Sequence, residues 1–561
     1  MKSTRTLLPA GLALRGLSAA AIMACAGGAS CANVETGHRD LKLRWDTTVR
    51  YNLGVRAERP DQRILNNPTY DESDGKFGRG DVVTNRLDLL TEVDLNYRSQ
   101  AGVRVSAAGW YDRAYDDRTV RSLVPGYVSS YAGDRYNSHV ARYVNGPSGE
   151  LLDAFVWANL KLADIPVNVK VGRQTNYFGE GLLIAGHAVS YSQSPLDGVK
   201  AVTSPGIETK EVFLPESQVF VKAQVTSDLQ LSGQYFFDWH ESRLPYGGTY
   251  FAPADPFFEG PDRLPVAPNG AALVRAPSLK PGKHGNWGVS AKLNLEAIES
   301  SLAFHYREFD DYNPWFGPNL TGFTSVPGIG IVPTAYRLAY PAKVKLAGLS
   351  AARVIGPISV GADLSVRRGG ALNTDAVSPV DQQGPRGNTL HAVANGVYLL
   401  PATRFWDTGS LVAEIAYSRL LKVTDHPELF KGEGRVACLA PGGAPGGKSD
   451  GCSSRHYAAM ALLFTPQYLQ LLPSWDLDLP FSLNYGLHGN AASSGGGNEK
   501  SLSWSAGARM TYAQRYEFSL QYADARGAAK YDPAGSTVIG GNGSVGTSDR
   551  GWLVFTFKAG F

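Results

Sequence analysis

Cysteine and methionine are scarce, with 4 of each in 561 residues. Cys25 and Cys31 fall in the N-terminal segment, which leaves Cys438 and Cys452 for the rest of the chain. That excludes a disulfide-dense scaffold and a cysteine-built metal centre. HExxH and CxxC are missing, and the 10 histidines show no metal-ligand spacing, so no metal or cofactor is implied. Charge imbalance is missing too. The net charge of +3 is too small to argue for nucleic acid as a partner. Long apolar runs are also lacking. No stretch reaches the ~20 residues a spanning helix needs, and mean hydropathy is −0.19. A helical membrane protein is therefore excluded.

What is present first is an export signal. Lys2, Arg5 and Arg15 precede the small, apolar run 17–29, and Ser30-Cys31-Ala32 has the small-x-small pattern of a cleavage site. Cleavage after Ala32 is expected, making 1–32 a signal peptide. Ile22-Met23-Ala24-Cys25 offers a weaker lipoprotein alternative. In an oxidising compartment Cys438 and Cys452, which flank a Gly/Pro-rich segment, are expected to form a disulfide.

The dominant signal after residue 32 is period-two alternation. Leu43, Trp45, Val49, Tyr51, Leu53 and Val55 share one face, while Lys42, Arg44, Asp46, Arg50 and Asn52 share the other. The same pattern recurs at 84–98, 102–112, 228–240 and 474–488. Alternation over this length, charged on one face and apolar on the other, is that of a transmembrane β-strand. Weaker examples at 388–400 and 455–465 are partly apolar on both faces. Period-two matching predicts about 18 strands (16–20). Short links such as 99–101, 163–165 and 513–514 alternate with long ones such as 56–83, 113–150, 174–216 and 524–550. Short periplasmic turns and long external loops characterise bacterial barrels. The final row, Leu553, Phe555, Phe557, Ala559 and Phe561, is apolar up to a terminal aromatic. Trp45, Tyr111, Trp239, Trp287, Trp475 and Trp552 fall near strand ends, where an interfacial girdle is expected. The expected fold is all-β: residues 33–561 form a single closed antiparallel transmembrane β-barrel in the outer membrane, in contact with its lipid.

The opposite rows predict the lumen. Candidate lumen charges are Arg44, Arg50, Arg86, Asp88, Glu92, Arg98 and Arg104. Basic residues outnumber acidic ones on these rows, which suggests mild anion selectivity. The competing reading is that the charges pair across strands. The link 174–216 mixes Gly with Leu182, Leu183, Ile184 and Val189. It is less polar than an exposed loop, and folding into the lumen as a constriction would bury that surface. Arg173, Glu180, Glu208, Lys210 and Glu211 are candidates to pin it by charge-assisted bonds.

The run Val169-Lys170-Val171-Gly172-Arg173-Gln174, followed by Phe178-Gly179-Glu180 and by Pro205-Gly206-x-Glu208-x-Lys210-Glu211, resembles a large proteobacterial family of exported proteins known only as a domain of unknown function. Family members more often carry Trp-Gly-Glu where this chain has Phe178-Gly179-Glu180. The resemblance implies an outer-membrane barrel, a role in the uptake or handling of hydrophobic compounds, and a periplasmic or transporter partner. It transfers no catalytic residue.

Other motifs carry less. Gly442 to Ser449 matches the P-loop pattern but has no helical pattern after it to hold a phosphate. Asp71-Glu72, Asp116-Asp117 and Asp310-Asp311 are expected to be solvated loop charges. An outer-membrane lipase would need Ser, His and acid converging at the rim, and only His488 suggests itself. The expected function is passage of small, hydrophobic or amphipathic molecules, with no catalysis. A general, weakly anion-selective porin is the first alternative and a barrel enzyme the second.

Overall fold

The structure is a computed structural model, and it describes residues 32–34, 37–256 and 258–561. The expected signal peptide lies outside the described residues except for Ala32, as do Cys25 and Cys31.

The strands are β1 (Leu41–Arg56), β2 (Val82–Tyr97), β3 (Ala101–Asp112), β4 (Ser148–Leu162), β5 (Ile165–Gln174) and β6 (Glu216–Gln224). Next come β7 (Leu229–Phe236), β8 (Trp287–Leu295), β9 (Ser300–Phe309), β10 (Val344–Ile355), β11 (Ile358–Ala371) and β12 (Arg386–Leu400). The last six are β13 (Thr408–Asp425), β14 (His456–Leu472), β15, β16 (Leu502–Tyr512), β17 (Tyr516–Arg526) and β18 (Trp552–Gly560). β15 is interrupted, running Trp475–Asp478 and then Phe481–His488. Each strand pairs antiparallel with its sequence neighbours, and β18 closes on β1 from Thr48↔Gly560 to Arg56↔Trp552. The expected closed antiparallel barrel of eighteen strands is what forms. Among the described residues closure leaves no unpaired edge in the barrel sheet, the condition for crossing lipid with strands.

Alternation assigns the faces. Outward positions expose Trp45 (53%), Phe304 (59%) and Ile415 (59%), whereas inward Arg50 (1%) and Arg86 (0%) are buried. A continuous apolar exterior around a closed barrel is the surface of an outer-membrane protein. Tight turns close one end. Ala163-Asp164 and Ala513-Gln514 are left-handed at both positions without any glycine, the conformation that matches the strands' twist. Arg98 and Ser99 form a third such turn.

Three expectations are corrected. β14 continues through Leu472, seven residues beyond the 455–465 expected from the alternation. Trp239 and Trp552 are buried. Trp552 packs on Phe251 inside the barrel, so it is no part of a girdle. Asp71, Glu72, Asp310 and Asp311 are buried rather than solvated. Their loops fold over the open end, where a small sheet (Arg263–Pro265, Ala272–Arg275, Asn319–Val326 and Gly330–Arg337) adds to the cover.

Candidate functional site

The long segment between β5 and β6 turns inward. At its start the side-chain amides of Gln174 and Gln218 each donate to the other's backbone carbonyl across the two strands. Gly179 follows with φ +99, and a Cβ there would lie 2.8 Å from Asp363 Oδ2 and 2.9 Å from Val189 Cβ. Only glycine meets both the backbone and the space requirement, which gives the Phe-Gly-Glu motif its physical reason.

Beyond Gly179 the loop lies against β9 to β13. The Asp363 carboxylate on β11 accepts N–H bonds from Glu180 (2.8 Å), Gly181 (3.2 Å) and Val189 (3.1 Å). Glu414 on β13 accepts from Leu182 (2.6 Å), Leu183 (2.9 Å) and Ile184. Arg307 on β9 donates to the carbonyls of Val189, Tyr191 and Ser192. His187 meets His391 of β12, Nδ1 to Nδ1, at 2.9 Å. Between these polar fixings, Leu182, Leu183 and Ile184 pack on inward Val393, Val412, Ala416, Ala459 and Leu463. That contact explains why β12 and β14 are partly apolar on both faces: one side meets lipid and the other meets the loop.

The returning half reaches the opposite wall. Arg50 on β1 holds Glu211 through two bonds of 3.0 Å. Ser204 donates to Asp88 on β2 at 2.7 Å. Lys210 bonds Glu92 on β2 and, at 2.9 Å, Glu208, and Lys558 on β18 donates to Glu208 at 2.8 Å. In an eighteen-stranded barrel β11 and β2 lie nine strands apart, so the loop spans the lumen from wall to wall.

The other candidates are placed as follows. Arg86 pairs with Asp88 at 2.9 Å, and Arg104 pairs with Glu92, Asp94 and Asp153. Arg44 pairs with Asp46. Arg98 is not a lumen charge: it sits in the turn after β2 and binds Asp40. The cause is the left-handed turn, which ends the strand one residue before it. Arg173 donates to the Pro215 carbonyl at 3.3 Å. Glu180 contributes its backbone N–H rather than its carboxylate. Cys438 and Cys452 form a disulfide. The P-loop-like run lies inside the loop they close, and ends in a single turn of 3-10 helix at Lys448–Asp450. Period-two alternation places Asp363, Glu414 and Arg307 on inward rows as lumen charges, but their role as loop anchors, and that of His391, does not follow from the sequence. Their one visible signal is charge or histidine on inward rows.

The description "Protein of unknown function (DUF1302)" belongs to a family that matches residues 13–561. The chain belongs to that family. No curated protein matches it. Similar solved structures include Pseudomonas aeruginosa OccK1 (OpdK), at 9% identity and TM-score 0.39 over 92% of this chain and 98% of that one. Acinetobacter baumannii OccAB1 stands at 10% and 0.40, over 92% and 96%. A BenF-like porin from Pseudomonas fluorescens Pf-5 stands at 9% and 0.39, over 92% and 99%.

In this DUF1302 barrel the lumen loop separates cavities. At the tight-turn end lies a vestibule of about 510 Å³ edged by Lys170, Lys222, Phe220 and Tyr177. On the other side are smaller spaces of about 110 Å³ beside Tyr250 and Trp552, and of about 80 Å³ beside Tyr191 and Phe213.

The external cover contains three close carboxyls. Asp71 accepts from Ser122 and Val124, Glu72 from Ser130, and Asp255 from the backbone of Glu72 and Ser73. Burial pushes Glu72 up to about 7, and burial with the neighbouring Glu72 and Asp71 charges holds Asp255 well above the carboxylate range. A raised folded-state pKa stabilises the cover below the ordinary value of 4.5, and that stability is lost as pH rises through about 7. Protease nicking of these loops is therefore expected to be slower at about pH 5.5 than at about pH 8. Glu72→Gln should flatten the difference. Equal rates for the unmodified protein at both pH values would refute the linkage.

Proposed function

We propose that this barrel carries small, hydrophobic or amphipathic molecules across the outer membrane, with the 174–216 loop as its gate. One observation carries the reading. The lumen is crossed by a segment whose apolar face rests on an apolar inner wall, Leu182 to Ile184 on Val393, Val412 and Leu463. A general porin has no use for that wall, because a water-filled path rewards polar lining. When the segment shifts, the surface it uncovers suits an apolar permeant.

The anion-selective alternative draws support from Lys170 and Lys222, which face the vestibule. It is weakened by the pairing of Arg50, Arg86 and Arg104 with carboxylates. Planar-bilayer recording of the purified protein separates the two. Near silence from a folded barrel is expected. Steady ohmic steps with anion-biased reversal potentials would establish the porin instead.

A further inference from the structure

β15 is broken where two prolines meet. Leu479 donates to the Pro466 carbonyl of β14 at 3.0 Å, and Gly507 of β16 donates to the Pro480 carbonyl at 3.0 Å. In an antiparallel ladder each of these pairs would carry a return bond. Proline has no N–H to give one. Both seams of β15 therefore lack a ladder bond at adjacent levels in mid-wall. On the lumen side Gly507, opposite Gln521, brings no side chain to cover the gap.

A narrow cleft of about 20 Å³ occupies this place, and its lining comes from both faces of the wall. Inward are Ser482, Ser505 and Gln521, joined by bonds of 2.7 Å through Ser505. Outward are Phe481, Ala508 and Leu520, the last 49% exposed. The inner end reaches Gly206 of the lumen loop and apolar Leu463. Among the described residues no charged side chain lines the cleft.

We infer that the wall parts here, giving small uncharged amphipathic molecules a lateral route between the lumen and the bilayer. This rests on the transport reading above and deepens it. The inner mouth offers neutral hydrogen-bonding groups to a polar end, and the outer mouth offers apolar contact to the rest. Strands separate most cheaply where ladder bonds are already missing, and release of the Gly206 segment removes the inner cover.

The test uses the full chain in the outer membrane of a Gram-negative host with an intact lipopolysaccharide leaflet. Uptake of N-phenyl-1-naphthylamine, an uncharged probe that fluoresces in apolar surroundings, is followed. Cells carrying the protein should take it up faster than cells without it. Ala508→Trp fills the outer mouth from the lipid side, where an aromatic is well tolerated. It should slow protein-dependent uptake by about tenfold, equivalent to ~1.4 kcal/mol on the barrier. Leu520→Trp provides a second variant should the first fail to fold, and Ala351→Trp on the far wall should change nothing. If the protein speeds uptake and both cleft variants match it, permeants leave through the lumen's end, and the lateral route falls while the transport reading stands. If the protein never speeds uptake, both fall.

Discussion

Replacing Asp363 and Glu414 together by alanine is expected to turn a nearly silent barrel into a conducting one. These two carboxylates accept six backbone N–H groups of the lumen loop, at Glu180, Gly181, Val189 and Leu182 to Ile184. Without them those donors are buried and unpartnered, at ~1–3 kcal/mol each. The sum exceeds the ~5.5 kcal/mol that takes a two-state equilibrium from 1:99 to 99:1. The loop then leaves the wall, despite the apolar contacts of Leu182 to Ile184. Single-channel conductance should rise many-fold, with the heat-sensitive gel migration of a folded barrel retained. Conductance unchanged in a folded double variant would mean that the loop is no gate. Glu180→Ala alone should do little, since its pinning group is the backbone.

The second large effect is on stability. Arg50→Met leaves Glu211 inside the barrel without its cation, and Asp88 loses one of two. Arg50 and Glu211 side chains are 1% and 2% exposed. Breaking a buried pair from one side costs ~3–5 kcal/mol. A marked fall in the urea midpoint for loss of the folded form is expected. Adding Glu211→Leu should recover most of it, because an apolar pair of similar volume avoids the cost of burying an unpaired charge. A single variant as stable as the parent would show that water reaches this pair and that the loop is not held tightly on the β1 side.

The barrel was legible because lipid and lumen impose opposite demands on alternate residues, and that demand is local. β1 shows it without a neighbour in view: Leu43 to Val55 on one face, Lys42 to Asn52 on the other. β12 and β14 were harder because their inner face is partly apolar. The loop that makes it so belongs to a distant part of the chain. Arg98 was misplaced by one residue of strand, since a left-handed pair without glycine leaves no compositional mark. The buried acids Asp71 and Glu72 look like solvated loop charges in sequence, and only packing against Ser122, Ser130 and Asp255 shows otherwise.

The candidate site divides in the same way. Its loop was visible as an oddly apolar link, and Glu208, Lys210 and Glu211 were visible as charges within it. Their partners were not. Arg50 lies 161 residues from Glu211 in sequence, and Glu414 lies 232 from Leu182. The sequence alone determined the strands, their faces and their closure, because a period of two is written residue by residue. Tertiary structure alone decided what fills the lumen and where the wall is weak. Those depend on which inward side chains face each other across the barrel, and only closing the ring sets that.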